Sequence, residues 1–146
     1  MLEIDIDKKF NLGKLKLDLH KELNFAGDII VKDHTDRLER GQGVNGPMQD
    51  LADSTIEAKG FNQILVHEDK MRHLNRKDAT KANQLITIFP GNKRKRKGKT
   101  NAQIGAYHQE GGGNLPKREW FGITKQAENK CLKLIEDKID KILRKL

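Results

Sequence analysis

From Thr124 to the end of the chain, apolar side chains return every three or four residues, and that stripe limits what the rest can be. Ala127, Cys131, Ile135, Ile139, Ile142 and Leu146 fall on one face of a helix, and Leu132 and Leu143 widen it. Lys130, Lys133, Asp137, Lys141 and Arg144 take the opposite face. Asp140 stands four residues before Arg144, the spacing at which opposite charges support a helix. Thr124 is placed to cap the first turn. Residues 124–146 therefore read as an amphipathic helix.

A second stripe runs from about Leu12 to Arg40. Leu15, Leu19, Leu23, Ala26, Ile30 and His34 recur at helical spacing, with Gly13 at the opening and Gly41 and Gly43 at the stop. Gly27 inside it costs about 1 kcal/mol relative to alanine and marks a place for a break. Ahead of this helix, Leu2, Ile4 and Ile6 alternate with Glu3, Asp5 and Asp7, the pattern of a half-buried strand. Residues 1–11 are thus a strand or an arm that pairs with a neighbour.

Between the helices, residues 41–123 read as loops and antiparallel sheet. Gly41, Gly43, Gly46 and Pro47 make the first part a loop. Asp53 or Ser54, with Glu57 following, caps a short helix that ends near Gly60. Residues 61–66 form a brief extended piece and 67–76 a helical turn. Gln84 to Phe89 alternates, is rich in β-branched residues and closes on Pro90, so it is a strand. Ala102 to Gln109 fits a second strand paired back on it. The fold class is α+β in a single domain. It has a long N-terminal helix, a small antiparallel sheet with a long-looped basic hairpin, and a C-terminal amphipathic helix.

Composition sets the size of the core. Apolar residues make up 35% of the 146 and charged residues 34%, so the core is small and the chain either folds modestly or leans on partners for part of its burial. The net charge is +8, but Lys93, Arg94, Lys95, Arg96, Lys97 and Lys99 supply six of those charges within one short run. Three readings of that run stand side by side: a solvated hairpin tip, a contact for an acidic protein surface, and a contact for phosphate backbones. It holds no aromatic residue for stacking on bases, which removes sequence-specific reading.

Catalytic constellations are missing. His67 and His73 lie six apart, outside zinc-protease and zinc-finger spacings, and His20, His34 and His108 stand alone, so no metal is expected. Cys131 is the lone cysteine and falls on the apolar stripe, where it reads as a small core residue. Gly111, Gly112 and Gly113 lead to Pro116 without the Lys-Ser/Thr pair of a P-loop. Tyr107, Trp120 and Phe121 flank that turn as core anchors. The chain reads as a non-enzyme without cofactors. No apolar run approaches the ~20 residues of a membrane span, and the N-terminus lacks the pattern of a secretory signal, so a protein made in the cytosol is expected.

Three segments in order carry a resemblance. Gly46, Pro47, Leu51, Thr55 and Lys59 form the first, and Ile64, Leu65, Val66 and Met71 the second. Tyr107, His108, Gln109, Gly111, Pro116, Arg118, Phe121 and Gly122 form the third, most specific one. Together they resemble the virion-morphogenesis, or tail-completion, family of tailed bacteriophages. Met48 stands where that family usually has tryptophan, Asp69 replaces a glycine, and Glu119 and Trp120 alter the run before Phe121.

The resemblance implies a structural protein of the virion neck, made in the host cytoplasm. It would assemble as a homo-oligomeric ring, a hexamer or dodecamer, between the head connector and the tail. Its partners would be copies of itself and neighbouring connector, head-closure and tail proteins, with DNA in the channel as a further contact and no membrane. His108 and Gln109 would bridge a strand end to the glycine turn, and Arg118 and Trp120 would fix that turn against the last helix. In such a ring the basic run points outward, toward an acidic neighbouring surface in preference to DNA, because tight binding of passing DNA would retard it. The alternative is a basic nucleic-acid-binding protein acting through Lys93 to Lys99.

Overall fold

The first ordered helix, α1 (His20–Glu39), starts where Asp18 accepts bonds from the His20 amide and ring, and it closes where Gly41 turns left-handed at φ 66°. A computed structural model describes residues 17–60, 73–91, 95–96, 99–112 and 115–145. The expected strand or arm at 1–11 and the extended piece at 61–66 lie outside these. The helix expected over 12–40 is shorter at its described start, since 17–19 are not helical. Nor does it break at Gly27. A Cβ there would lie 2.1 Å from Ile86 Cδ1 and 3.3 Å from Arg76 Cζ, so the glycine serves close approach by a neighbouring segment.

The last helix, α4 (Lys125–Leu143), lies antiparallel against α1. Lys138 near its end meets Glu22 near the start of α1 at 3.3 Å, the Cys131 thiol lies 3.6 Å from the Ala26 carbonyl, and Thr124 reaches Asp33. Thr124 caps it as expected, its hydroxyl accepting from the Ala127 amide at 3.1 Å. Ala127 is buried and Cys131 half-buried on the contact face. Leu132 and Leu143, read as widening the stripe, are instead 47% and 48% exposed.

Between these helices the chain makes short pieces. A two-residue ladder pairs β1 (Gln42–Gly43) with β2 (Gly46–Pro47), and α2 (Asp53–Lys59) follows, ending at left-handed Gly60. The N-cap of α2 is Ala52 without a side-chain bond, so neither Asp53 nor Ser54 fills that role; Asp53 is the acid of the first turn. Next, β3 (Leu74–Lys77) pairs antiparallel with β4 (Thr87–Pro90), Leu74 opposite Pro90 and Lys77 opposite Thr87. The described end of the expected helical turn at 67–76 is therefore a strand. Asn24 of α1 holds this hairpin through both the amide (2.8 Å) and carbonyl (3.0 Å) of Ala79, and Arg76 reaches back to Asp28 and to the Asn24 carbonyl.

The strand expected over 84–89 thus begins only at Thr87 and pairs with β3. Its supposed partner, 102–109, is helical: α3 runs Asn101–Glu110. A capping box decides this, with the Thr100 hydroxyl accepting from the Gln103 amide and the Gln103 side chain accepting from the Thr100 amide. A third small ladder, β5 (Lys95–Arg96) with β6 (Lys99–Thr100), sits within the basic run and leads directly into α3. The fold is α+β as read, but its described strands form three separate two-stranded ladders rather than one sheet.

The core is correspondingly small. Leu38, Met48 and Trp120 are buried together, and Leu51, Leu74 and Phe121 pack around them.

Candidate functional site

Everything in this core converges on the turn from Leu115 to Thr124, which carries Trp120. The Trp120 indole is 1% exposed, its Nε1 donates to the Gly105 carbonyl at 2.8 Å, and its ring lies 5.5 Å from both the His34 and Phe121 rings. A buried indole needs such an acceptor.

Three side chains from three segments then fix the turn's backbone. Gln109, at the end of α3, accepts the Trp120 and Phe121 amides at 3.0 and 3.1 Å and donates to the Phe121 carbonyl at 3.1 Å. Arg37 of α1, buried and paired with Asp33 at 2.8 Å, donates to the Trp120 and Gly122 carbonyls, both at 3.3 Å. Arg118, 5% exposed, donates outward to the Gln49 and Asp50 carbonyls at 2.9 and 3.0 Å. Burial lowers the Arg118 pKa from its ordinary value. Asp33 also accepts from the Thr124 hydroxyl at 3.3 Å, so α1, the turn and the first turn of α4 share one polar relay.

The β1–β2 ladder closes the other side. The Val44 amide donates to the Glu119 carbonyl at 2.7 Å, and a Cβ at Gly43 would sit 2.5 Å from that same oxygen, so only glycine fits. Between residues 43–49 and 117–119 lies an open recess of about 200 Å³, lined by Asn45, Gly46, Pro47, Lys117, Arg118 and Glu119 among others. Lys117 pairs with Glu119 at 2.9 Å, and the Asn45 amide donates to the same carboxylate. Those two donors hold the Glu119 carboxyl below the usual carboxylate range, and Glu119 in turn raises the Lys117 ammonium.

The residues picked out by motif fall into place as follows. Gly46 and Pro47 form β2; Tyr107, His108 and Gln109 end α3; Gly111 terminates that helix in left-handed conformation; Pro116, Arg118, Trp120, Phe121 and Gly122 make the turn. Gln109 does bridge to the turn, but from a helix end and not a strand end. Arg118 fixes the turn to residues 49–50, and Trp120 packs toward α1, so neither ties it to α4; Thr124 and Asp33 do that. Tyr107, read as an anchor, is 40% exposed. Of the basic run, Lys95 and Arg96 lie in β5 and Lys99 in β6, while Lys93, Arg94 and Lys97 fall outside the described residues.

Arg37 and Asp33 went unrecognised in the sequence. Nothing in their spacing sets them apart from Asp36 and Arg40 one turn away. Among the described residues, no three His, Cys, Asp or Glu side chains gather as metal ligands, and no helix is long and apolar enough to cross a membrane. Comparison of the chain with protein-family models, with curated proteins and with solved structures finds no match.

Proposed function

We propose that the protein is a structural subunit of the neck of a tailed-phage virion, a tail-completion or head–tail joining protein that works as a homo-oligomeric ring and not as an enzyme. One observation carries this reading. Matched residues from the first and third segments, more than fifty positions apart in the sequence, meet around Trp120: Leu51 and Phe121 pack on its cluster, Gln109 bonds the Trp120 and Phe121 amides, and Pro47 lines the same recess as Arg118. Residues that the phage resemblance singles out thus surround this centre, while Met48 and Trp120 within it are this chain's own departures from the family pattern.

A second feature supports assembly. Phe25 and Leu85 are 60% and 61% exposed, whereas among the described residues the buried cluster consists of Leu38, Met48 and Trp120. Apolar surface left open around so small a core favours burial against copies or partners. The basic run suits an acidic neighbouring surface, where charge pairing steers docking and weakens with salt.

The test is native mass spectrometry of the purified protein together with its detection in particles. A ring-sized species and a place in the virion are expected; a monomer at high concentration, absent from particles, overturns the proposal. Replacing Lys93, Arg94, Lys95, Arg96 and Lys97 with Ser should leave a folded ring that joins heads to tails poorly, more so at high salt. The density of cations in that run also favours a second reading, nucleic-acid binding, which requires affinity that falls steeply with salt and disappears in the same variant.

A further inference from the structure

The recess beside the Trp120 centre contains a cation that the described part of the chain does not neutralise. Among the described residues two arginines are buried, of which Arg118 lines the recess and Arg37 does not, and they differ in their partners. Arg37 has Asp33 at 2.8 Å. Arg118 has two neutral carbonyls, Gln49 at 2.9 Å and Asp50 at 3.0 Å, and among the described residues no carboxylate pairs with it. Buried charges are ordinarily paired, because a low-dielectric setting penalises a lone one.

The geometry leaves Arg118 something to offer. Its Nε and Nη2 are engaged by those carbonyls, and among the described residues Nη1 is not, while the residue itself lines the recess. Glu119 is near but committed elsewhere, to Lys117 on one oxygen and Asn45 on the other. Lys117, Arg118 and Glu119 together leave the recess one positive charge in excess. Its volume of about 200 Å³ falls below the ~300–1,000 Å³ of pockets that enclose a whole small molecule, so a single side chain is the fitting guest.

We infer that this recess is a carboxylate-binding site that receives an acidic side chain from a protein partner, with Arg118 as its charged floor and Lys117 and Asn45 as donors at its rim. Guanidinium and carboxylate are matched in shape as well as charge, which gives such a contact direction. The inference does not rest on the phage reading, since it follows from one unbalanced buried charge and an opening beside it.

The experiment uses the full chain, labelled with ¹⁵N, and titrates it with an N-acetylated, amidated glutamate at constant ionic strength. The Arg118 Nε–H and the Asn45 side-chain amide are read. Both signals should move saturably, and Lys117→Ala or Asn45→Ala should weaken binding at least fivefold. These rim variants carry the test, because substituting Arg118 itself also removes the tie to residues 49–50. If the same signals move with protein concentration and no probe, the side chain comes from a second copy; if only the probe moves them, it comes from a different protein. Tighter binding of inorganic phosphate than of the glutamate derivative, or no localised response to any of these, overturns the proposal.

Discussion

Removing Gln109 should cost this protein more than any other single polar change in α3. Its side chain accepts two amides and donates to one carbonyl of the turn, at 3.0, 3.1 and 3.1 Å. Trp120 is 1% exposed, so its amide cannot turn to water when the acceptor is lost. Leaving one buried donor unmet costs about 1–3 kcal/mol, and each half-buried bond at Phe121 adds roughly 0.5–1.5 kcal/mol. The sum centres near ~4 kcal/mol, about a thousandfold in the folding constant, and lowers the melting temperature by roughly 8–16 °C in a chain of this size. Trp120 is the chain's sole tryptophan and sits at the centre, so its fluorescence reports urea unfolding directly. Gln109→Met keeps the length and loses the amide carbonyl and NH2 group that make these bonds, and it should fall nearly as far as Gln109→Ala. A Gln109→Met protein within ~0.5 kcal/mol of the parent would refute the clamp, because three lost bonds cannot total so little.

Gly43→Ala should destabilise by about 1–3 kcal/mol in the same urea assay, since its Cβ would meet the Glu119 backbone oxygen at 2.5 Å and the backbone of that turn cannot yield cheaply. Gly27→Ala should cost less despite a nearer neighbour at 2.1 Å, because Ile86 Cδ1 is the end of a side chain that can rotate and alanine returns ~1 kcal/mol of helix propensity. Burial pushes the Cys131 thiol up, so at about pH 8 it should react with an aromatic disulfide reagent at least ~10-fold more slowly than free cysteine until denaturant is added. The Glu119 carboxyl, held down first by Lys117 and then by Asn45, should titrate below the usual ~4.3, as followed by ¹³C NMR, and rise in Lys117→Ala. Because its folded value is depressed, the stability it supplies is present above the unfolded value and fades as pH falls through the folded one.

The two long helices were legible because their signal is local. The stripe from Ala127 to Ile142 and the Thr124 cap are contained within the helix they define, and the structure returns both. The strand expected at 102–109 rests on supplying a partner for 84–89, in a short stretch with few apolar residues where periods of 2 and 3.6 are hard to tell apart. The deciding signal lay just upstream, in Thr100 and Gln103, two residues whose mutual bonds start a helix. Strand pairing was illegible for a different reason. Leu74–Lys77 is polar and short, and what selects it as partner for β4 is docking onto Asn24 and Asp28, far away in sequence. The same holds for Arg37, whose role exists only once the turn is present to receive its donors.

That last dependence has a consequence for synthesis. The bonds from Arg37 to the turn join residues 83 and 85 positions apart, so Trp120 is translated 83 residues after Arg37. Helix α1 therefore leaves the ribosome early with Ala26, His34 and Leu38 facing nothing, and it must wait for the turn and α4 before it is covered. Contacts of such long separation are slow to form and leave apolar surface open meanwhile. A nascent chain cut anywhere before Gly122 lacks the Gly122 carbonyl that Arg37 holds, and one cut before Trp120 lacks its core outright. Products truncated ahead of the turn should accordingly be degraded or aggregate rather than persist as partial domains, and the protein should depend on keeping α1 shielded until the turn and α4 have been translated.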